Sequence, residues 1–333
     1  MKILVCGGAG YIGSHAVMEL LDKGYEVVAF DNLEKGHKGA VSSKATLFIG
    51  DLRNEEDLDK VFSENKIDAV IDFAAYSLVG ESMSVPFKYF ENNFGGTLNL
   101  LKAMDKHDVR YIVFSSTAAT YGEPERSPIL ESDPTIPTNP YGESKLCVEK
   151  LLKWADEAHS IHYSALRYFN VAGAHISGSI GEDHNPETHL LPIVLQAALG
   201  KRDAVSIFGD DYNTPDGTCI RDYIHVTDLA DAHILALENI METNKSSTYN
   251  LGNGKGFSVK EIIKTAKKVT GIDIKTIIAP RRAGDPSTLV ASSEKIIKEL
   301  GWIPRFNKLE QIIETAWIWH KNNPNGYDDK LSQ

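Results

Sequence analysis

Short apolar runs alternate with longer amphipathic stretches through the first half of the chain. The runs lie at residues 3–6, 27–30, 46–49, 69–73 and 111–114. Apolar runs of this length suit parallel strands that are buried on both faces, and the stretches between them have the spacing of amphipathic helices. The alternation therefore predicts an α/β fold in which helices cover both faces of a parallel sheet.

A glycine-rich segment at residues 7–13 separates the first apolar run from the first predicted helix. Its spaced glycines are Gly7, Gly10 and Gly13, and the next run ends in Asp31, close to the expected spacing of about 20 residues. Glycines let the backbone approach a pyrophosphate, the helix N-terminus faces its charge, and the acid accepts a ribose hydroxyl. The pattern predicts a Rossmann-type doubly wound parallel sheet. Asp31 favours NAD over NADP, because a carboxylate would repel a 2′-phosphate.

Further candidate residues follow the other predicted strands. Ligands of an open parallel sheet bind beyond the carboxyl ends of its strands. Asp51 and Leu52 follow one strand, and residues 73–75 follow another. Asp51 is a candidate to receive the adenine, and residues 73–75 are candidates to line the nicotinamide half. Taken singly, each position is equally consistent with an ordinary turn after a strand.

Tyr141 and Lys145 share one face of a helix predicted over residues 141–158. A phenol has an ordinary pKa near 10, which is too high for a base at neutral pH. A neighbouring ammonium and the positive ring of oxidised NAD favour the phenolate, so Tyr141 is a candidate general base. Thr117, after the preceding strand, can hydrogen-bond the same substrate hydroxyl. The alternative is a surface pair on an amphipathic helix.

The second half of the chain has a looser pattern. Residues 171–192 are rich in glycine and polar residues, and the later predicted elements are short. We expect a NAD-binding domain over residues 1–170, to which residues 220–240 return. A smaller C-terminal α/β substrate lobe is expected over residues 171–325, followed by a flexible tail over residues 326–333.

Composition narrows the possible functions. The net charge of −11 argues against a nucleic-acid partner or an anionic membrane, since both need a basic surface. No apolar run approaches the ~18 residues of a membrane span, and the N-terminus lacks the apolar region of a signal peptide. The 3 cysteines have no metal-ligand spacing and suit a reducing compartment. We therefore expect a cytoplasmic protein without a metal site.

Several longer motifs resemble those of the UDP-glucose 4-epimerase family, which belongs to the extended short-chain dehydrogenases/reductases. They lie at residues 7–15, 31–33, 79–82, 92–93, 141–145, 166–170, 173–175, 221–226 and 279–282. The resemblance implies an isomerase that interconverts UDP-galactose and UDP-glucose. In that scheme Tyr141 removes the proton of the sugar 4-hydroxyl while hydride passes from C4 to NAD, and the 4-keto sugar turns before the hydride returns. It also implies a homodimer formed by helices around residues 86–105 and 141–158.

The residue patterns and the resemblance together give three groups of candidate site residues. The catalytic group is Tyr141, Lys145 and Thr117. The cofactor-binding group is Gly7, Gly10, Tyr11, Ile12, Gly13, Asp31, Asn32, Asp51, Leu52, Phe73, Ala74, Ala75, Asn93, Tyr141, Lys145 and Phe169. The substrate-binding group is Thr117, Tyr141, Asn170, His189, Leu190, Arg221, Arg282, Asp285 and Leu289. The two arginines suit a pyrophosphate, because a guanidinium matches phosphate geometry.

Four positions depart from the most familiar pattern of the family. Ser77 replaces a lysine near the cofactor, Thr117 replaces a serine, and His189 replaces an asparagine. Leu289 replaces a bulky tyrosine of the sugar pocket, where a smaller residue is associated with N-acetylhexosamine sugars. We hypothesise that UDP-N-acetylglucosamine and UDP-N-acetylgalactosamine are also substrates.

Three alternative functions use the same fold. A nucleotide-sugar 4,6-dehydratase carries an Asp-Glu pair after the strand-end threonine, whereas Ala118 and Ala119 stand here. A non-catalytic NAD-sensing module typically lacks the tyrosine or the lysine, and both are present. A simple sugar dehydrogenase would release reduced cofactor, which an assay distinguishes.

Overall fold

The computed structural model describes residues 1–282 and 286–327, and its largest element is a seven-stranded parallel sheet. The strands in chain order are β1 (Lys2–Cys6), β2 (Glu26–Asp31), β3 (Thr46–Ile49), β4 (Ala69–Asp72), β5 (Tyr111–Ser115), β6 (His162–Tyr168), β7 (Asn170–Ala172), β8 (Val205–Phe208), β9 (Ile220–Arg221), β10 (Tyr223–His225), β11 (Ser247–Leu251), β12 (Phe257–Ser258), β13 (Thr276–Ala279) and β14 (Thr288–Leu289). The order across the large sheet is β11-β6-β5-β4-β1-β2-β3. This order reverses direction at β1, as in a doubly wound sheet, and confirms the predicted fold class.

Helices cover both faces of the large sheet. The helices are α1 (Tyr11–Asp22), α2 (Glu55–Glu64), α3 (Val79–Ser84), α4 (Pro86–Tyr89), α5 (Gly96–Lys106), α6 (Pro140–His159), α7 (Leu190–Ala198), α8 (Val226–Thr243), α9 (Val259–Thr270), α10 (Glu294–Leu300) and α11 (Leu309–Asn322). Because strand side chains alternate between faces, Leu4 and Cys6 pack with α2, α5 and α6. Ile3 and Val5 pack with α1 and α8 on the opposite face.

A second hydrophobic core lies outside the large sheet. Helices α7, α9 and α11 pack together through side chains such as Leu195, Ile263 and Ile312, which are 0–4% exposed. Three small sheets accompany them: β7 with β10, β8 with β13, and β12-β9-β14. Among the described residues, no helix combines the length and the apolar character needed to cross a bilayer.

The helical stretch predicted over residues 86–105 is interrupted in the structure. It contains α4, a π-helical segment at Phe90–Gly95 and α5, and the short helix α3 precedes it. Side-chain contacts of Asn93, described below, lie within the π-helical segment. Regular spacing in the sequence did not reveal this change of helical pitch.

The chain returns to the large sheet at β11, beyond the residues expected to do so. Helix α8 does pack on the large sheet, but β10 pairs with β7 and not with that sheet. β11 pairs with β6 in parallel. The sequence does not predict β11, because the segment Ser247-Thr248-Tyr249-Asn250-Leu251 has no apolar run.

The beginning of the expected flexible tail is packed, which corrects that prediction for Gly326 and Tyr327. Tyr327 is 8% exposed and its hydroxyl hydrogen-bonds with the backbone of Gly181. Its ring also packs on Trp319 at a centroid distance of 4.7 Å. The remainder of the predicted tail, residues 328–333, lies outside the described residues.

Candidate active site

The glycine loop between β1 and α1 makes a close backbone approach. Gly7 has a φ of +72° and lies so near the next strand end that a Cβ would meet the Ala74 nitrogen at 2.9 Å. A Cβ on Gly13 would collide with the Gly7 carbonyl oxygen. No side chain caps the N-terminus of α1 at Gly10, and its first turn holds no acidic residue. The exposed N–H groups of this helix end are therefore available to an anion such as a pyrophosphate.

Asp31 lies at the end of β2, beside the glycine loop. Its carboxylate accepts hydrogen bonds from the backbone N–H groups of Ala9, at 3.0 Å, and Leu33, at 2.8 Å. Burial raises the pKa of Asp31, and these two hydrogen bonds oppose the rise. The structure thus brings the acid and the glycine loop together, as the sequence pattern predicts.

Asn32 and Asp51 join at the neighbouring strand end. The Asn32 amide donates to Asp51 at 2.9 Å, while Arg53 donates to both carboxylate oxygens of Asp51. Hydrogen bonding by Arg53 lowers the pKa of Asp51 to about 2, against a smaller opposing effect of burial. Arg53 was not predicted from the sequence as a member of this group. Leu52 is 7% exposed and belongs to the core on that face of the sheet.

The backbone of Phe73 and Ala74, which Ala75 follows, lies against Gly7 of the glycine loop. The Phe73 ring packs on His233 at 4.6 Å and belongs to the core beside α8. Asn93 is 1% exposed, and its amide joins the backbone of Tyr76 to the hydroxyl of Ser144. Ser144 lies in α6, so Asn93 connects the end of β4 to the helix that carries Tyr141.

Tyr141 and Lys145 lie in the first turns of α6, whose N-terminus is capped by Asn139 and contains Pro140. Lys145 is 3% exposed and donates to the Ser115 carbonyl oxygen at 2.8 Å. Thr117 follows the same strand, and its hydroxyl hydrogen-bonds with Tyr141. The three predicted catalytic residues therefore converge at the carboxyl end of β5.

Burial has the largest effect on the pKa values of Tyr141 and Lys145. Burial raises the pKa of Tyr141, and the hydrogen bond with Thr117 opposes the rise. Burial lowers the pKa of Lys145 to about 8, against the attraction of Asp72 and Glu149. The protein alone thus does not give Tyr141 the lowered pKa expected from its lysine neighbour. A positively charged nicotinamide ring beside Tyr141 would favour the phenolate and so lower the pKa of Tyr141.

Two buried acids beneath the catalytic group were not predicted from the sequence. Asp72 is fully buried and accepts from the Ala74 backbone and the Thr97 hydroxyl. Glu149 pairs with Arg167 at 2.5 Å and also accepts from Ser116. For Glu149 the sequence holds one indication. It lies four residues after Lys145 in α6 and therefore on the same helix face as Tyr141 and Lys145.

The predicted substrate residues of the second lobe cluster on its small sheets. β14 pairs with β9, so that Leu289 lies opposite Arg221. Asn170, the first residue of β7, donates to the Asp222 carbonyl oxygen at 3.2 Å, which joins β7 to the residue after β9. Asp222 itself is 1% exposed and accepts from three backbone N–H groups. Phe169 is half-buried between β6 and β7.

The remaining candidates are less closely grouped. Arg282 is exposed and its guanidinium lies 4.0 Å from the centroid of the Phe208 ring. Leu190 is the first residue of α7, directly after His189. The Nδ1 atom of His189 lies 2.8 Å from Glu182 and 3.3 Å from Glu187, so this nitrogen faces carboxylates. Asp285 lies outside the described residues.

Comparison with known proteins extends the similarity to nearly the whole chain. Residues 3–252 match the model of the NAD dependent epimerase/dehydratase family. A UDP-glucose 4-epimerase of Halalkalibacterium halodurans is 60% identical and 98% of each chain is covered. The crystal structure of a UDP-glucose 4-epimerase from Brucella ovis in complex with NAD has a TM-score of 0.93 at 45% identity, covering 95% of this chain and 97% of that one. The enzyme from Bifidobacterium longum in complex with NAD+ and UDP has a TM-score of 0.92 at 42% identity, covering 98% and 100%.

Proposed function

The chain belongs to the NAD-dependent epimerase/dehydratase family, and we propose that it is a UDP-glucose 4-epimerase that interconverts UDP-galactose and UDP-glucose. The observation that carries this proposal is the convergence of Tyr141, Thr117 and Lys145 at the end of β5, beside a glycine loop suited to a dinucleotide. The epimerases of similar sequence over their full length support the same reaction.

The residues of the first lobe fit NAD. Gly7 and Gly13 leave no room for a side chain, the N-terminus of α1 is uncapped, and Asp31 lies beside the glycine loop. In this proposal Asp31 accepts a ribose hydroxyl. When bound, NAD supplies a reversible hydride acceptor for C4 of the sugar. Asn32, Asp51 and Leu52 surround the adenine half in this proposal.

Tyr141 acts as the general base for the sugar 4-hydroxyl. Thr117 holds that hydroxyl and the phenol in line, and the Lys145 ammonium stabilises the phenolate. Lys145 is fixed by the Ser115 carbonyl oxygen, so it acts as a positioned charge. After the 4-keto sugar presents its other face, its C4 would take back the hydride lent to NAD while its oxygen recovers the proton from Tyr141.

The nucleotide is held apart from the reacting carbon. Arg221 and Arg282 bind the UDP pyrophosphate, while Asn170, Leu190 and Leu289 line the nucleotide-sugar site. Firm binding of the nucleotide leaves the sugar able to turn, which the exchange of faces requires. Asp285 and His189 are assigned to the same site from the resemblance alone.

The dehydratase alternative lacks its acid and base. Thr117 is followed by Ala118 and Ala119, which open a short 3₁₀ turn at Ala118–Tyr121. No carboxylate can therefore reach the sugar from these two positions. The sensor and dehydrogenase alternatives are distinguished by the assay below.

The test is a coupled assay that supplies UDP-galactose to the purified protein without added NAD and measures UDP-glucose. We expect turnover, with a loss of at least ~100-fold in Tyr141→Phe. Tyr89→Phe is a matched control, because the Tyr89 hydroxyl binds Leu78 and Glu81 while its ring lies 6.4 Å from that of Tyr141. Full activity in Tyr141→Phe, release of NADH, or formation of a 6-deoxy product would contradict the proposal.

We propose further that residues 1–170, with residues 220–240, bind NAD and that residues 171–325 bind the nucleotide sugar. The two-sided core of the large sheet and the separate core of α7, α9 and α11 support this division.

A cytoplasmic location is also proposed, since Cys6, Cys147 and Cys219 form no disulfide.

A homodimer is proposed for the faces of the helices around residues 86–105 and 141–158, together with the short helix α3 that precedes them. These helices expose Met83 by 62%, Phe87 by 81% and Trp154 by 65%, an apolar surface that suits a partner. Sedimentation equilibrium should give twice the chain mass for the wild type and a monomer for Phe87→Asp. Ile303→Asp is the control, because Ile303 is 79% exposed but lies outside these helices. A monomeric wild type would overturn the proposal.

A further inference from the structure

Four potential metal ligands gather in the segment that precedes α7. They are Glu182, His184, Glu187 and His189, and their nearest ligand atoms all lie within 4.8 Å of one another. Both carboxylate side chains are 4% exposed, whereas the side chains of His184 and His189 are 32% and 43% exposed. The cluster borders a cavity of about 360 Å³ that reaches α11. An ion would therefore have a route to these ligands.

The four separations between a histidine nitrogen and a carboxylate oxygen are close to those of a tetrahedral site, with a different oxygen of Glu187 facing each histidine. The Nδ1 atom of His184 lies 3.1 Å from Glu182 Oε1 and 3.8 Å from Glu187 Oε2. The Nδ1 atom of His189 lies 2.8 Å and 3.3 Å from the same two residues. A zinc ion bound at about 2.0–2.2 Å by nitrogen and oxygen ligands separates them by roughly 3.3 Å along each tetrahedral edge. The four nitrogen–oxygen distances, from 2.8 to 3.8 Å, lie on both sides of that edge length.

The Nδ1 atom of His189 provides a second, independent observation. The atom is buried and makes no hydrogen bond of good geometry, although it lies 2.8 Å from Glu182 and 3.3 Å from Glu187. A buried nitrogen lone pair without a partner is costly, and coordination of a cation would satisfy it.

Outer contacts hold the ligands in place. Glu187 Oε1 accepts from the backbone N–H groups of Thr188 and His189, both at 2.8 Å. The carbonyl oxygen of Glu182 accepts from the Trp319 indole at 3.2 Å. Such outer-shell hydrogen bonds fix metal ligands and raise their affinity.

We propose that Glu182, His184, Glu187 and His189 form a structural site for a divalent transition-metal ion, with zinc the best match. Two imidazoles suit zinc better than magnesium or calcium, which prefer oxygen ligands alone. Two neutral imidazoles and two carboxylates also give a neutral complex with a doubly charged ion. Four protein ligands complete the tetrahedron and leave no open position, which is typical of a structural site.

The site would connect the two binding regions of the molecule. The His184 ring packs edge-on against Tyr11 of the glycine loop at a centroid distance of 6.1 Å. His189 directly precedes α7, where Leu190 is a candidate for the nucleotide-sugar site. An ion that joins His184 to His189 thus fixes the beginning of α7 relative to the glycine loop.

The competing explanation is an ion-pair cluster without a metal. Burial lowers the pKa of His184, but hydrogen bonds to Glu182 and Glu187 prevail and raise it to about 9. Two charged imidazoles would then balance the two carboxylates. The explanations differ in whether the purified protein binds an ion, and that property can be measured without reference to activity.

The experiment measures binding of zinc and cobalt to the full chain after removal of metals by a chelator. Equilibrium dialysis with elemental analysis should give one zinc ion per chain. Cobalt should give the intense visible absorption of a tetrahedral complex. His184→Ala and Glu182→Gln should each weaken zinc binding by more than the roughly 10- to 100-fold that loss of an outer-shell partner typically causes.

The control is His159→Ala, because His159 lies 3.2 Å from Asp105 in an exposed pair without further ligands. This variant should bind zinc like the wild type. If a ligand variant fails to fold, the cobalt spectrum of the wild type still decides. Absence of stoichiometric zinc from the wild type, or equal binding by His184→Ala, would overturn the proposal and favour the ion-pair cluster.

Discussion

The hydroxyl of Thr117 has two partners, the phenol of Tyr141 and the backbone N–H of Ala119 at 3.1 Å. We expect Thr117→Val to lower kcat by about 10- to 100-fold, because proton transfer to a positioned base depends on this alignment. Thr117→Ser retains the hydroxyl and should stay within a few-fold of the wild type. Steady-state kinetics with UDP-galactose would check both variants. A fully active valine variant would remove Thr117 from the mechanism.

Leu289 offers a separate test at the residue scale, that of sugar preference. It is half-buried on β14, opposite Arg221. Leu289→Tyr should lower turnover of UDP-N-acetylgalactosamine at least ~10-fold, since added volume in a packed pocket costs about 1–3 kcal/mol. Turnover of UDP-galactose should change little. If the wild type does not turn over the N-acetylated sugar at high enzyme concentration, the hypothesis of broad specificity is wrong.

At the scale of elements, a buried ion pair joins α6 to β6. Arg167 and Glu149 are both 8% exposed, and Arg167 also donates to the hydroxyl of Tyr121. We expect Arg167→Met to lower the free energy of unfolding by about 3–5 kcal/mol, because it leaves the Glu149 carboxylate buried without its partner. Urea denaturation monitored by circular dichroism would measure the loss.

Two further variants make this test specific. Adding Glu149→Leu to Arg167→Met should restore most of the stability, since the pair is then replaced by apolar groups. Arg110→Met should change stability by less than about 1 kcal/mol, because Arg110 is 31% exposed in its pairs with Asp105 and Asp108. Equal losses in Arg110→Met and Arg167→Met would contradict the role of burial.

The same elements show how far prediction from the sequence extends. β1, β2, β4 and β5 are recognisable because each is a buried strand with a continuous apolar run, whereas β3 carries such a run in a less buried position at the edge of the sheet. The catalytic residues follow from local spacing along α6 and from their position after β5. The Glu149–Arg167 pair could not be predicted, since it depends on how α6 lies against β6. The sequence does not indicate β11, because the polar Asn250 occupies a buried position in it. The Asn250 amide accepts a hydrogen bond from the Tyr121 hydroxyl and donates one to the Ile129 carbonyl oxygen.

At the scale of the whole molecule, buried histidines make stability depend on pH. Burial lowers the pKa of His15 and of His225 to about 3, and that of His233 to about 4. An unfolded chain has an ordinary histidine pKa near 6.5. The stability that these three histidines contribute is therefore fully present above pH 6.5 and is lost as the pH falls toward 4, because only the unfolded chain takes up these protons. Each histidine contributes a slope of about 1.4 kcal/mol per pH unit in that range.

His233 allows this contribution to be isolated. It is fully buried between the rings of Phe73 and Tyr168, and its Nδ1 lies 2.8 Å from the Leu229 carbonyl oxygen. His233→Leu should reduce the slope of stability against pH by about 1.4 kcal/mol per pH unit between pH 6 and 4.5. Urea titrations across that range would measure it. His159→Leu is the control, since that side chain is 53% exposed, and an unchanged slope in His233→Leu would refute the assignment.

The return of β11 to the large sheet has a mechanical consequence. The chain leaves that sheet after β6, forms β7 to β10 in the small sheets, and comes back as β11 to pair with β6 before it leaves again. Several crossings, and not one linker, therefore join the two lobes, so the lobes can move apart only if the chain bends at several points together. Under the proposed mechanism, a connection of this kind favours rotation of the sugar itself as the movement that exchanges its two faces. Sugar selectivity would then be decided by wall residues such as Leu289 more than by any closing movement of the protein.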